Sequence, residues 1–397
     1  MTILRFGRMF TVSLGLLWLL MTVSHAAPVA TLLQQGGPFG TLPPVAPVLL
    51  NADFECSTGY YSQTNSLNRE IWIPNDWQVT ILEGAPVLHS ARRFFAKSCT
   101  GDAHVERINQ ADSIVIRAQD LETPPEPGKP FDVAFHQSIS ATVGGAYSLS
   151  GWLLSLCGGS ATPSDCPSTV YMAKMIGIDP TGGTDPTAAN VIWTENRRNF
   201  WEGQRVGWQQ MSVSAIAQAP TITVFARVHS PFRWHGNHAF IDAFSLVRAP
   251  VGVLTVPAVV TESEVLLQWD GLQSPDAAAI AGGTYRMYYD IQARQQGNET
   301  WTDFRIGQEG AGSATYPVEC ANTTYEFRIR ARAEQPDPPA PAGAWPNHRY
   351  NGVWSNPYLV QIQVKSNPDE LIEPPALPAP YQIYLPHVAI PHVQRQC

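Results

Sequence analysis

The sequence predicts an all-β chain made of two successive sandwiches, and three observations carry that prediction. Apolar and polar residues alternate along many short segments, as in Tyr147, Leu149, Gly151 and Leu153 on one side against Ser148, Ser150 and Trp152 on the other. Period-two alternation of this kind marks strands with one buried face. Turn-forming clusters separate the segments, and the 397 residues include 34 Pro and 30 Gly. Few windows hold a 3.6-residue period for three turns, so helices are expected to be scarce.

Composition narrows the function classes. Charged residues are 15% of the chain, against about 25% in an average soluble domain. The formal net charge of -8 argues against a nucleic-acid partner, which calls for a basic face. Residues 1–26 read as a secretory signal: Arg5 and Arg8 precede an apolar run from Met9 to Val23, then Ser24-His25-Ala26 offers small residues for cleavage. The competing reading is a membrane anchor. The run is short for a span of roughly 20 residues, and no basic stop-transfer cluster follows it. The expected location of the mature chain is therefore secreted or cell-surface.

Export permits disulfides. Cys157 and Cys166 enclose a Gly/Ser/Pro loop and read as a local staple; Cys56 and Cys99 are the next pair; Cys320 and Cys397 remain. The spacings lack the Cys-x-x-Cys pairs of a compact zinc site.

A Pro/Gly-rich lead-in covers 27–47. The first body, 48–249, carries strand-like segments at Val79–Leu82, Ser113–Ala118, Phe131–Ile139, Ala146–Leu154, Tyr171–Ile178, Trp208–Ala215, Thr221–Val228 and His238–Val247. Eight or more strands over that length fit a double-sheet jelly roll. Gly182-Gly183 reads as part of a long hairpin turn, not a phosphate loop, because turn formers surround it. The second body, 254–365, has the size of an immunoglobulin-like sandwich. Its alternations are Val265, Leu267, Trp269; Tyr285, Met287, Tyr289, Ile291; and Tyr325, Phe327, Ile329, Ala331. Arg248 to Gly252 is a short tether that limits relative motion. A Pro-rich linker, 366–380, and a C-terminal tail, 381–397, follow.

Several of these residues carry a family resemblance. Asn51-Ala52-Asp53-Phe54-Glu55, then Trp77, then Gly145-Ala146-Tyr147-Ser148-Leu149-Ser150-Gly151-Trp152, and finally Phe240-Ile241-Asp242-Ala243-Phe244 resemble the galactose-binding-like jelly rolls of the carbohydrate-binding-module class. Ala243 departs from that pattern, where a second Asp is common. Trp269, Tyr325 and Gly352-Val353-Trp354-Ser355-Asn356-Pro357 resemble fibronectin type III. Tyr384-Leu385-Pro386 is similar to the terminal segment of exported surface proteins from filamentous bacteria.

The resemblance implies one structural calcium ion near the chain's first and last strands, with Glu55 and Asp242 at the ligand positions and Asp53 assisting. Hard cations take carboxylate and carbonyl oxygens. The competing reading pairs these acids with Arg or with backbone donors. For a glycan, flat aromatic rings beside hydrogen-bonding side chains are required. Trp72 lies just ahead of a turn; Trp193 and Trp201 bracket a polar run containing Arg197; Trp234 lies in a loop with Asn237. These six are the ligand-contact candidates, against the reading that each ring caps an edge or packs under a loop. Trp152 and Trp208 read as core.

No catalysis is expected. The chain has no His-Glu-x-x-His segment, no Gly-x-Ser-x-Gly elbow and no phosphate-cradling Gly-x-x-x-x-Gly-Lys loop. Glu106, Asp179, Glu195 and Glu202 are the acids a glycosidase could in principle use. The expected partner is a cell-surface or matrix glycan, or an envelope protein. The alternatives are a structural or adhesive envelope protein without a sugar ligand, and a secreted hydrolase. Arg328, Arg330 and Arg332, facing one way by period two, read as a solvated sheet face rather than an anion site.

Overall fold

The computed structural model describes residues 46–100, 112–118, 129–156, 170–198, 208–231, 237–261, 263–274, 276, 285–318, 320, 322–335 and 348–363. The signal segment, the Pro-rich linker and the tail lie outside them, as do Cys157, Cys166, Trp201 and Trp234.

Among the described residues the chain is almost entirely strand. In order these are β1 (Tyr60–Thr64), β2 (Glu70–Pro74), β3 (Gln78–Glu83), β4 (Val87–Ser90), the short helix α1 (Ala91–Ala96), β5 (Ile114–Arg117), β6 (Phe131–Ser140), β7 (Ala146–Leu156), β8 (Val170–Asp179), β9 (Ile192–Arg198), β10 (Gln209–Ile216), β11 (Thr221–Ser230) and β12 (His238–Arg248). Then come β13 (Val251–Thr255), β14 (Val259–Val260), β15 (Glu264–Leu272), β16 (Arg286–Gln295), β17 (Thr302–Glu309), β18 (Gly312–Pro317), β19 (Thr324–Glu334), β20 (Arg349–Asn351) and β21 (Tyr358–Ile362). The architecture is an all-β, multi-sheet sandwich. No helix among the described residues is long and apolar enough to cross a membrane.

Two five-stranded sheets, β3-β6-β11-β8-β9 and β10-β7-β12-β5-β4, face each other. Alternate residues of each fill the space between them: Val133 and Phe135, Ile176 and Ile178, Val224 and Ala226 from the first; Leu149, Leu153, Met211, Ile241 and Leu246 from the second. Burying each large aliphatic side chain contributes about 1.5–3 kcal/mol. The β1-β2 hairpin adds Ile71 and Ile73 to this core, and Trp77 closes one end, its Nε1 donating to the carbonyls of Leu50 and Asn51.

Trp152 and Trp208 are buried, as read from the strand pattern, but not between these two sheets. They lie on the outer face of β10-β7-β12-β5-β4, in a separate cluster with Val115, Leu154 and Phe240 against which Phe94 of α1 packs. The helix was not expected from sequence, since six residues are too few to show a period. It is capped by Ser90, whose Oγ accepts from Arg93 N and donates to the buried Asp112 at 2.6 Å.

A three-stranded sheet, β13-β15-β18, packs on a second sheet, β14-β21-β19-β16-β17, with β20 paired to β19. Their core holds Val265, Leu267, Trp269, Tyr289, Ile291, Phe327 and Ile329, which are the alternating residues read from the sequence.

A strip of serines joins these two parts. Ser148 and Ser150 on β7, Ser212 and Ser214 on β10, and Ser245 on β12 share the outer face of their sheet. Asn351 N donates to Ser212 Oγ at 3.1 Å, Ser214 Oγ donates to the Gly352 carbonyl at 3.0 Å, and Tyr350 Oη donates to Ser245 Oγ at 2.7 Å. Tyr350 is fully buried with Val247, Tyr285 and Ala333, and Arg248 grips Asp276 through Nε and Nη2 at 2.8 and 2.6 Å.

Candidate functional site

Period two sends every second residue of β3-β6-β11-β8-β9 away from the core. One cross-strand row on that outer face runs Gln78, His136, Phe225, Gly177, Trp193, with each neighbour directly opposite the next. The rings form a continuous series: His136 to Phe225 at 5.7 Å and Phe225 to Trp193 at 5.6 Å between centroids. Gly177 makes this spacing attainable. A Cβ at that position would fall 2.6 Å from Trp193 Cε3, so only a glycine lets the indole lie across β8 toward Phe225.

The adjoining row is Thr80, Ala134, Arg227, Met175, Glu195. Arg227 is held by Asp132 in a two-pronged pair, Nε to Oδ1 at 2.9 Å and Nη2 to Oδ2 at 2.6 Å. It also donates to the Pro186 carbonyl, and its guanidinium sits 5.9 Å from the Trp193 ring. The β8–β9 connection, read as a long hairpin turn, thereby touches this face. Asp179 organises that turn: its Oδ1 accepts from Thr181 N, Thr181 Oγ1 and Asn190 Nδ2, each at 2.7 Å. Asp179 is fully buried.

His136 is buried, and Nε2 meets Gln78 Oε1 at 3.1 Å, while Nδ1 has no hydrogen-bond partner. Burial pushes its pKa down, so the ring is neutral at pH 7. At this end of the row lies a pocket of about 480 Å³, lined by Leu50, Asp76, Gln78, His136, Ser138 and Ile139 among others. The face thus offers a half-buried indole at one side and, at the other, amide, imidazole and hydroxyl groups beside Asp76.

Of the six ligand-contact candidates, Trp193 and Arg197 lie on β9, the strand that edges this face. Arg197 is exposed and ion-paired with Glu195. Trp72 is elsewhere: on β2, half-buried, with His89 at 5.7 Å and the Arg93 guanidinium 5.0 Å from its ring. Asn237 is fully buried, donating through Nδ2 to Ser230 Oγ while its carbonyl accepts from Ala118 N. Trp201 and Trp234 fall outside the described residues. Sequence reading passed over Gln78, Phe225 and Arg227. Their strands were identified, and the opposite parity to the core set is the pattern that points to them.

The chain's first described segment and its strand β12 meet beside the acids expected to hold the ion. Phe244 N donates to the Ala52 carbonyl at 2.9 Å, and the Phe54 and Phe244 rings lie 5.6 Å apart. Glu55, Asp112 and Asp242 are all buried. The Tyr60 hydroxyl is pushed well above its ordinary pKa, first by burial and then by the charges of Asp112, Asp242 and Glu55. Glu55 Oε1 accepts from Asp112 N at 3.1 Å, and Asp242 Oδ1 accepts from Ala243 N at 2.6 Å. The backbone is strained here: Phe54 and Ala243 have φ of 52° and 50°, and β12 is bulged between Asp242 and Ser245. Asp53 is half-buried. Among the described residues no group of three His, Cys, Asp or Glu side chains is placed to hold a metal. The oxygen-only chemistry of Glu55 and Asp242 nevertheless fits a hard cation.

Cys56 and Cys99 form a disulfide with Cα atoms 5.5 Å apart, and Cys320 is disulfide-bonded as well.

No protein-family model matches the chain, and no curated protein matches it. Solved structures are similar at low identity. One is TmCBM61 in complex with beta-1,4-galactotriose, 15% identical over 50% of this chain and 97% of that one, with a TM-score of 0.30. Another is the K3 cleaved adhesin domain of Lys-gingipain from Porphyromonas gingivalis, 13% identical over 44% of this chain and 92% of that one, TM-score 0.27. A third is the adhesin domain of Epf from Streptococcus pyogenes, 9% identical over 65% of this chain and 80% of that one, TM-score 0.22. Scores of this size carry no argument about function, which rests on the site itself.

Proposed function

We propose that the chain is a non-catalytic extracellular binding protein that takes a neutral glycan on the outer face of β3-β6-β11-β8-β9. In this reading the first pair of sheets is a jelly roll of the carbohydrate-binding-module type, and the second is a fibronectin type III spacer. The signal segment 1–26 delivers the chain to the outside. The observation that carries the reading is the row Gln78, His136, Phe225, Gly177, Trp193. An apolar sugar face lies over the Trp193 indole with hydroxyls toward Arg227, and a longer glycan crosses the row to reach Gln78 at the far strand. The experiment is retention of the purified chain on a glycan array beside the variant Trp193→Ala. Retention lost at least tenfold with an unchanged melting temperature supports the reading; full retention in the variant removes the indole from the site. A chain that no glycan retains is instead a structural or adhesive envelope protein.

A structural calcium ion held by Glu55 and Asp242, with backbone carbonyls completing its shell, belongs to the same proposal. Buried carboxylates call for compensation, and the left-handed Phe54 and Ala243 flank them. Calcium is expected to raise the thermal midpoint by several degrees over that in chelator, and Asp242→Asn to cancel the difference. An identical midpoint in both solutions counts against the ion.

A further inference from the structure

The outer face of β16 and β19 is a ladder of guanidinium groups and rings. Trp301 has Arg294 and Arg328 stacked on it, each 4.3 Å from its centroid. Trp354 has Arg328 at 4.6 Å and Arg330 at 4.7 Å, and Arg332 lies 5.8 Å from Tyr288. Sequence reading placed Arg328, Arg330 and Arg332 on a solvated face; the rings give that face a fixed order.

Three of the four arginines have an acid partner. Arg294 pairs with Glu326 at 2.5 Å, Arg330 with Asp290 at 2.7 Å, and Arg332 with both Asp290 and Glu334. Arg328 is different. Its Nε and Nη2 both donate to the neutral Oε1 of Gln292, at 2.9 and 2.6 Å. No ion pair with a carboxylate is found for it among the described residues. It therefore stands as a cation between two cations, held flat by two indoles. Burial, then Arg294 and Arg330, all push against its charge.

We propose that this ladder, centred on Arg328, is a docking surface for an acidic polysaccharide whose uronate carboxylates pair with the guanidinium edge. Charge complementarity selects the partner: the central cation lacks an anion, and planar guanidinium matches carboxylate geometry. Ring geometry excludes a neutral sugar, because each indole has guanidinium groups stacked on it in place of a pyranose. What remains outward is the ring edge, which carries the positive part of the quadrupole and also favours anions. The surface is independent of the Trp193 face and takes a different ligand chemistry.

The test is affinity electrophoresis of the full chain through gels containing alginate, with dextran as the neutral control. Alginate should retard the chain at low ionic strength and added salt should weaken that effect, whereas any retardation by dextran should be indifferent to salt. Arg328→Gln should lower the affinity about tenfold while retaining the melting temperature. Asp303→Asn removes an exposed acid that accepts from Gln292 Nε2, so it should strengthen retardation. It also decides the matter if Arg328→Gln fails to fold. No retardation by alginate, equal retardation of a folded Arg328→Gln, or unchanged or weaker retardation of Asp303→Asn each overturns the proposal.

Discussion

At the scale of single residues, the glycan reading turns on an atom that is missing. Gly177 leaves the space that the Trp193 indole fills, and any side chain there has to push the ring off the sheet. Gly177→Val should therefore abolish glycan retention as thoroughly as Trp193→Ala. Valine suits a strand, so the thermal midpoint should move far less than the affinity. Retention that survives the valine would mean the indole does not need to lie against Phe225. Trp193 itself was legible in sequence, because an aromatic beside a polar run is conspicuous. Phe225 was not, because inside a long alternating strand one parity looks like core and the other like solvent. Only the register of five strands reveals that these parities line up. Asn237 shows the opposite case: a polar residue in a loop-like stretch that the fold turns inward to Ser230 Oγ.

At the scale of elements, alternation identified nearly every long strand, and the core residues of both sheet pairs follow from it. β9 and β17 escaped despite their seven and eight residues, and so did several short elements, although the four-residue β5 was found. β1, β2 and β4 have four or five residues each, too few for a period to stand out, and α1 has six. Yet these elements set the local chemistry. α1 and Phe94 cover the ring cluster of Trp152, Trp208 and Phe240, which is why two apparent core tryptophans are buried on the outside of a sheet. The β12 bulge re-aims the chain between Asp242 and Ser245, and it is this departure from regular pairing that brings Phe244 to Ala52. Sequence reading located Glu55 and Asp242 by resemblance; Asp112 went unnoticed because its part depends on Ser90 and the cap of α1.

At the scale of the molecule, the serine strip ties the two sheet pairs to each other. Serines alternating with apolar residues on β7 and β10 look like an ordinary wet face. They are instead small, hydrogen-bonding partners over which β20 lies flush. His348 sits at the centre of this joint, 6% exposed, its Nδ1 3.3 Å from Ser150 Oγ and its ring stacked on Tyr350 at 5.7 Å. Burial brings its pKa down to about 4, against about 6.5 in the unfolded chain. Between those values the unfolded chain takes up a proton that the folded one refuses. The stability that His348 contributes is complete above the unfolded value, is lost as pH falls through the window, and levels off below about 4. The whole span is worth about 3 kcal/mol. His348→Phe keeps a ring on Tyr350 and removes the proton site. Its thermal midpoint should fall less between neutral and mildly acid solution than that of the parent. An equal fall in both would place the acid sensitivity elsewhere.

The Cys56–Cys99 bond also has a consequence for how the chain withstands cleavage. The stretch it encloses contains Trp77, all of β1 to β4, and α1. Should a protease sever the backbone once within that stretch, neither piece drifts away, because sulfur bridges the cut. The damaged molecule keeps its full mass, and only a reductant lets the fragments part.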